Sequence, residues 1–287
     1  MTEDVATPNE DVVSTGAARA PLVGRRGAHP PRGANALLGV LGFAVFLALL
    51  EVVPRSGLVS AKFLPPTSRI AAALGDQLGQ ASFWTAVADT ARGWFLGLAI
   101  AVVLGVVVGF VVGTVPPLRE YTASTIEFLR PIPSVALIPL AVLLFGTDLR
   151  SVLLLVVYAS FWQVLIQVLY GVQDVDPVAR DTARTFGLGG WAQIRHVVWP
   201  TALPYVLTGI RLAAAVALIL AITAELVIGA PGLGNAIGTA QSSGAIPAMY
   251  ALVIVTGLLG VAVNVAARLI ERRLLSWHQS VRREVAP

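Results

Sequence analysis

Apolar residues along this chain come in long unbroken blocks separated by short polar stretches. The blocks cover about 36–53, 94–115, 121–145, 151–170, 205–227 and 247–270. Most supply the roughly 20 apolar residues that a helix rising 1.5 Å per residue needs to cross ~30 Å of hydrocarbon. The blocks are continuously apolar rather than alternating, which selects spanning helices over the strands of a barrel. Six spans are therefore expected, with both chain ends on the same side. A cleaved leader is the alternative for the first block, but that block is longer than a usual leader core and starts far from Met1.

The polar stretches carry their own signals. Residues 1–35 lack apolar periodicity and are rich in Thr, Pro, Glu, Asp, Gly and Arg, so a disordered cytoplasmic tail is expected. Residues 36–275 form the membrane domain and 276–287 a cytoplasmic C-terminal tail. Thr67 follows Pro65-Pro66 and is placed to cap a helix from Ser68 to about Gly79. Gly97, Ala101, Gly105, Gly109 and Gly113 recur at every fourth position of the second block, where they let another backbone approach; plain helix packing explains them. Residues 228–247 carry no charge and suit an external or re-entrant loop.

Composition narrows the function class. Of the 287 residues 56% are apolar and 13% charged, against roughly 25% charged in soluble domains. Such a chain cannot cover a water-facing surface, which excludes a soluble enzyme. The net charge of +4 does not form a nucleic-acid-binding stripe, because the basic residues flank apolar blocks. With the N-terminus inside, 15 of the 20 Lys and Arg fall on cytoplasmic ends and loops; only Arg55, Lys62, Arg69, Arg92 and Arg150 fall outside. The positive-inside bias therefore places both termini in the cytoplasm. The absence of cysteine removes thiolate chemistry and most zinc sites, and His29, His196 and His278 are scattered. The single lysine, Lys62, stands in no phosphate-cradling G-x-x-x-x-G-K-[ST] motif, so no Walker-type ATP site, and no other cofactor, is expected in this chain.

The loop 171–203 holds the most specific pattern. Asp176 suits an N-cap, Pro177 the first helical position and Gly187 a left-handed C-cap. Between them Val178, Ala179, Thr182, Ala183 and Phe186 form one face and Arg180, Asp181, Arg184 and Thr185 the other. A second short helix, Trp191 to Val198, is expected to stop at Pro200. A short amphipathic helix here can lie at the membrane interface or be gripped by a partner protein.

The loop resembles the cytoplasmic motif of ABC importer permeases: Glu-Ala-Ala, three residues, Gly, nine residues, Ile-x-Leu-Pro. Asp181-Thr182-Ala183, Gly187, Val197 and Trp199-Pro200 fall at those spacings, departing at Asp181, Thr182 and Trp199. The stretch Phe128 to Leu140, then Pro204 to Leu212, Ala224-Glu225 and Gly232-Leu-Gly234, looks like the nitrate, sulfonate and taurine branch of that family. The resemblance implies an all-α membrane protein with the type I importer permease fold. It implies a homodimer of permeases, a separate ATPase subunit that holds ATP and Mg, and an extracytoplasmic substrate-binding protein. It also implies that Asp181, Thr182, Ala183, Arg184, Phe186, Gly187, Val197 and Pro200 dock the ATPase.

A solute pathway is expected at Pro131, Pro133, Ser134, Pro139, Gln163, Gln167 and Glu225. Pro139 inside the third block should break a backbone hydrogen bond, which is tolerated at membrane depth only inside protein or beside water. A mere packing kink is the alternative. Glu225 either lines the outer path or reaches the interface. Gln163 and Gln167, one turn apart, bind solute or bridge helices. A secondary transporter or channel would share the spans but leave the docking motif unexplained; a membrane enzyme would need clustered His or paired acids.

Overall fold

The computed structural model describes residues 32–275, with side chains from Leu38 onward. The expected tails, 1–35 and 276–287, lie outside the described residues except for 32–35, which are already helical. The described chain is helical throughout, with no strand among the described residues. It divides into two units, one ending at Phe46 and one starting at Leu47. The first holds the start of α1 (Arg32–Arg55), whose residues from Leu38 to Phe46 are all exposed, as a lipid-facing helix would be.

The second unit holds everything else. Glu51 of α1 accepts from the backbone N–H and hydroxyl of Ser68 at 2.9 and 2.8 Å. It thereby caps α2 (Thr67–Leu78) from outside that helix. Thr67 does not cap as the sequence suggested: it is the first helical residue, and Pro66 takes the cap position without a side-chain bond.

Three helices form the core: α3 (Ala81–Thr114), α6 (Leu149–Gln173) and α9 (Trp199–Ile228). α3 starts 13 residues before the apolar block, because the segment from Ala81 to Gly93 continues as helix with polar Thr85, Asp89 and Arg92. The glycine stripe of α3 receives the valines of α6. A Cβ on Gly105 or Gly109 would lie 2.7 Å from Val164 or Val168, and one on Gly113 3.0 Å from Val172. On the other side of α6, a Cβ on Gly209 of α9 would lie 2.9 Å from the Gln167 Cβ. Lipid tails are as apolar as valine, so such close van der Waals fits, not hydrophobic transfer, hold spanning helices together. Trp94 adds a direct tie by donating its indole N–H to the Ala214 carbonyl at 2.9 Å.

The third block is not one rod. α4 (Pro116–Leu129) meets a second arm, Ser134–Phe145, at 81° across the short break 130–133; that arm opens with the tight turn Ser134–Leu137 and continues as α5 (Ile138–Phe145). Five described helices are long and apolar enough to span, and the bent pair, taken as one broken span, brings the number to six. Pro131 and Pro133 sit in the break, but Pro139 breaks no hydrogen bond, contrary to expectation. It occupies the first turn of α5, where a backbone N–H has no helical acceptor anyway. The Tyr158 hydroxyl of α6 donates to the Leu129 carbonyl at 2.8 Å and pins the end of α4.

The uncharged 228–247 stretch contains a helix of its own, α10 (Leu233–Ser242), before α11 (Ile246–Leu274) returns across the bundle.

Candidate functional site

The loop after α6 folds as the cap signals require. Asp176 accepts from the Val178 N–H at 2.8 Å and starts α7 (Pro177–Thr185). Gly187 ends it at φ +75°, with its own N–H on the Arg184 carbonyl and that of Leu188 on the Ala183 carbonyl. This pair of bonds is the Schellman arrangement, which a side chain at Gly187 would strain through φ and not through bulk, since a Cβ there meets nothing within 4 Å. Arg180 donates to the Val172 carbonyl at 3.0 Å, and Tyr205 to Asp174 at 2.9 Å, so both ends of the loop are tied to the bundle.

The expected docking residues separate into two groups. Asp181, Thr182, Arg184, Phe186 and Gly187 are exposed, with Phe186 at 79%. Ala183 is buried, and Val197 and Pro200 are half-buried, Val197 against the valine cluster of α6. The apolar face of α7 is therefore not laid down on the bundle: only Ala183 packs, while Val178 (70% exposed) and Phe186 face outward. Trp191 joins them at 76% exposed, which the sequence reading missed because it treated that residue only as a helix start.

Pro200 does not stop the second helix. α8 (Gly190–Gln193) passes through a wide π turn, Ile194–Val198, directly into α9, so Gly190–Ile228 is one helix of 39 residues. A proline N lacks the proton for the carbonyl four residues back, and a π turn is a common way of absorbing such a mismatch. Thr201 contributes by donating its hydroxyl to the Val197 carbonyl at 2.9 Å. Trp199 stacks at 5.4 Å on Phe110 of α3 and anchors the joint.

The expected pathway residues are not all brought together. Pro131 and Gln163 line a cavity of about 700 Å³ between α4 and α6, alongside Arg119, Glu120, Glu127 and Arg130. Pro133 lies in the adjoining break, half-buried Ser134 opens the arm after it, and Pro139 is exposed on α5. Gln167 lies outside that cavity and packs over Gly209. Glu225 neither lines a path nor reaches an interface in this conformation: it is 1% exposed. Its Oε2 accepts from the Thr90 hydroxyl at 2.8 Å and from the Gly234 N–H at 3.0 Å, and Thr90 Oγ1 in turn accepts from the Leu233 N–H at 2.8 Å. The sequence reading quoted Gly234 only within the Gly232-Leu-Gly234 resemblance and did not single out Thr90, which lies before the apolar block.

Among the described residues no cluster of three or more His, Cys, Asp or Glu could hold a metal ion.

Comparison with known proteins matches this arrangement. The family described as "Binding-protein-dependent transport system inner membrane component" matches residues 101–276. The chain is 31% identical to a putative aliphatic sulfonates transport permease protein (SsuC) of Bacillus subtilis, covering 84% of this chain and 88% of that one. It is 30% identical to the taurine transport system permease protein (TauC) of Escherichia coli, covering 88% and 93%. It is also 30% identical to the riboflavin transport system permease protein (RibX) of Chloroflexus aurantiacus, covering 84% and 91%. Among solved structures, inward-facing MetNI methionine ABC transporter aligns at a TM-score of 0.58 and 19% identity, over 67% of this chain and 95% of that one. An amino acid ABC transporter aligns at 0.57 and 21%; both likenesses show the ABC importer permease fold. Six spans with a broken third, a capped loop helix and this match over most of the bundle carry one conclusion: the chain belongs to the binding-protein-dependent transport system inner membrane components, the membrane-embedded permease subunits of ABC importers.

Proposed function

We propose that the chain carries a small organic anion of the sulfonate or taurine class inward by alternating access, as a homodimer with both termini in the cytoplasm. A separate ATPase subunit holds ATP and Mg and grips the loop 171–203, and an extracytoplasmic binding protein delivers the solute. The observation that carries the reading is the exposed trio Val178, Phe186 and Trp191, the first two on the capped helix α7 and its C-cap, the third at the start of the 39-residue helix Gly190–Ile228. Large apolar side chains left in the open beside a long helix suit a groove in a partner. Asp181, Thr182, Arg184 and Gly187 are the polar rim of that patch, and Ala183, Val197 and Pro200 fix it to the bundle.

The substrate class rests on the sulfonate and taurine relatives. The α4–α6 cavity, with Pro131 and Gln163, is the candidate solute station. Two arginines there are balanced by two glutamates, so the cavity does not select anions by net charge and selection falls to the binding protein.

The test is assembly. Phe186→Asp and Val178→Asp leave the cap bonds of α7 in place but put charge where an apolar groove must close. Each is expected to weaken co-purification of the ATPase by about tenfold, the equivalent of ~1.4 kcal/mol. ATPase retained at wild-type level in both variants overturns the docking assignment.

A further inference from the structure

We propose that Glu225 is a positioning residue that locks α10 onto the far end of the 39-residue rod, so that a displacement of the docking loop is delivered to α10 without slack. This rests on the importer reading above and adds to it the part that closes the end of the bundle opposite the loop.

Four observations converge on the lock. Glu225 lies one turn from the end of α9, and its Oε2 takes the Thr90 hydroxyl of α3 and the Gly234 N–H of α10 together. Thr90 extends the chain by accepting from Leu233 N, so a single polar thread joins α9, α3 and the first turn of α10. The backbone is shaped to admit the carboxyl group. Gly232 stands at φ +151°, and a Cβ there would overlap the Glu225 carboxyl; one on Gly234 would overlap the Ile222 carbonyl. Finally, Asn235 donates to the Gly229 carbonyl at 3.2 Å, closing the turn between α9 and α10.

A carboxyl group enclosed to 1% exposure and committed to fixed donors from two other elements cannot exchange partners with water as a surface acid does. Whatever moves α9 therefore moves α10. Its polar outer face, with Asn235 and Thr239, lines an open cleft of about 540 Å³ together with Gln80 and Asp89. The rod spans about 58 Å at 1.5 Å per residue, enough to reach from the docking loop to that cleft.

The experiment uses the cysteine-free chain with Val107→Cys on α3 and Ser242→Cys on α10, both exposed positions, spin-labelled in lipid nanodiscs. The parent should give one narrow distance. Glu225→Ala and Thr90→Val should broaden it, and Glu225→Gln, which keeps an acceptor oxygen, should restore it. In the reconstituted importer, Glu225→Ala should lower uptake per ATP hydrolysed by roughly tenfold while hydrolysis itself persists. An unchanged distance in Ala and Val, a Gln variant as broad as Ala, or uptake and hydrolysis falling in proportion overturns the lock. Should Glu225→Ala fail to fold, the Thr90→Val and Glu225→Gln pair still decides. The spin-label result stands without any ATPase, so a failed lock and a failed importer reading are told apart.

Discussion

At the scale of single residues, the clearest expectation concerns Gly187, which stands at φ +75° with empty space where a side chain would go. A β-branched residue there is strained by about 1–2 kcal/mol through its backbone alone. Gly187→Val should therefore loosen the end of α7 and weaken ATPase co-purification by about tenfold. Gly187→Asn, which tolerates the left-handed region, should hold near wild type. A loss equal in both variants would show that bulk, not backbone conformation, matters. Asp176→Ala removes the acceptor of the Val178 N–H and should cost about 1 kcal/mol, read as earlier thermal unfolding of the purified chain. Both positions were plain in the sequence, because caps are local: the residue types and their spacing determine the bonds. Glu225 was visible as an odd acid but not as a buried acceptor, because its donors stand 135 and 9 residues away and nothing short-range pairs them.

At the scale of elements, the fit between α3 and α6 makes graded predictions. A Cβ on Gly93 would meet Leu149 at 3.4 Å, an ordinary contact, whereas on Gly105 it would meet Val164 at 2.7 Å. Gly93→Ala should melt near wild type, and Gly105→Ala should lose about 1–3 kcal/mol, partly recovered by Val164→Ala. Equal melting of the two single variants would contradict the described register. The fourfold spacing of small residues was readable, but not the identity of the facing helix, which depends on tertiary partners. Prolines misled in the same way twice. Pro139 and Pro200 look like breakers by type, yet each stands where its missing N–H is harmless or absorbed, in a first turn or after a π turn. Pro139→Ala should therefore change thermal stability by no more than ~0.5 kcal/mol; a larger loss would mean that the ring itself packs.

At the scale of the molecule, hydropathy blocks were legible as five to six crossings, since these follow from transfer into lipid, and the basic flanks set an expected direction. The absence of cysteine makes that direction directly measurable. Phe186→Cys should react with an impermeant maleimide only from the cytoplasmic face of sealed vesicles, and Ser242→Cys only from the opposite face. Reversal of the two would invert the topology and remove the loop from any nucleotide-driven partner. What no local pattern foretold was α10, a ten-residue helix hidden in an uncharged stretch too short to register as a span.

The glycine-and-valine contact along α3 and α6 behaves like two toothed racks laid face to face. Each valine seated over a glycine blocks sliding along the common axis, because the next position would set side chain against side chain. Nothing comparable constrains α4, which buries none of its residues, or α11, which buries only Ala251 and Leu252. The meshed pair therefore moves as one body, and relative motion is left to the helices that no teeth hold.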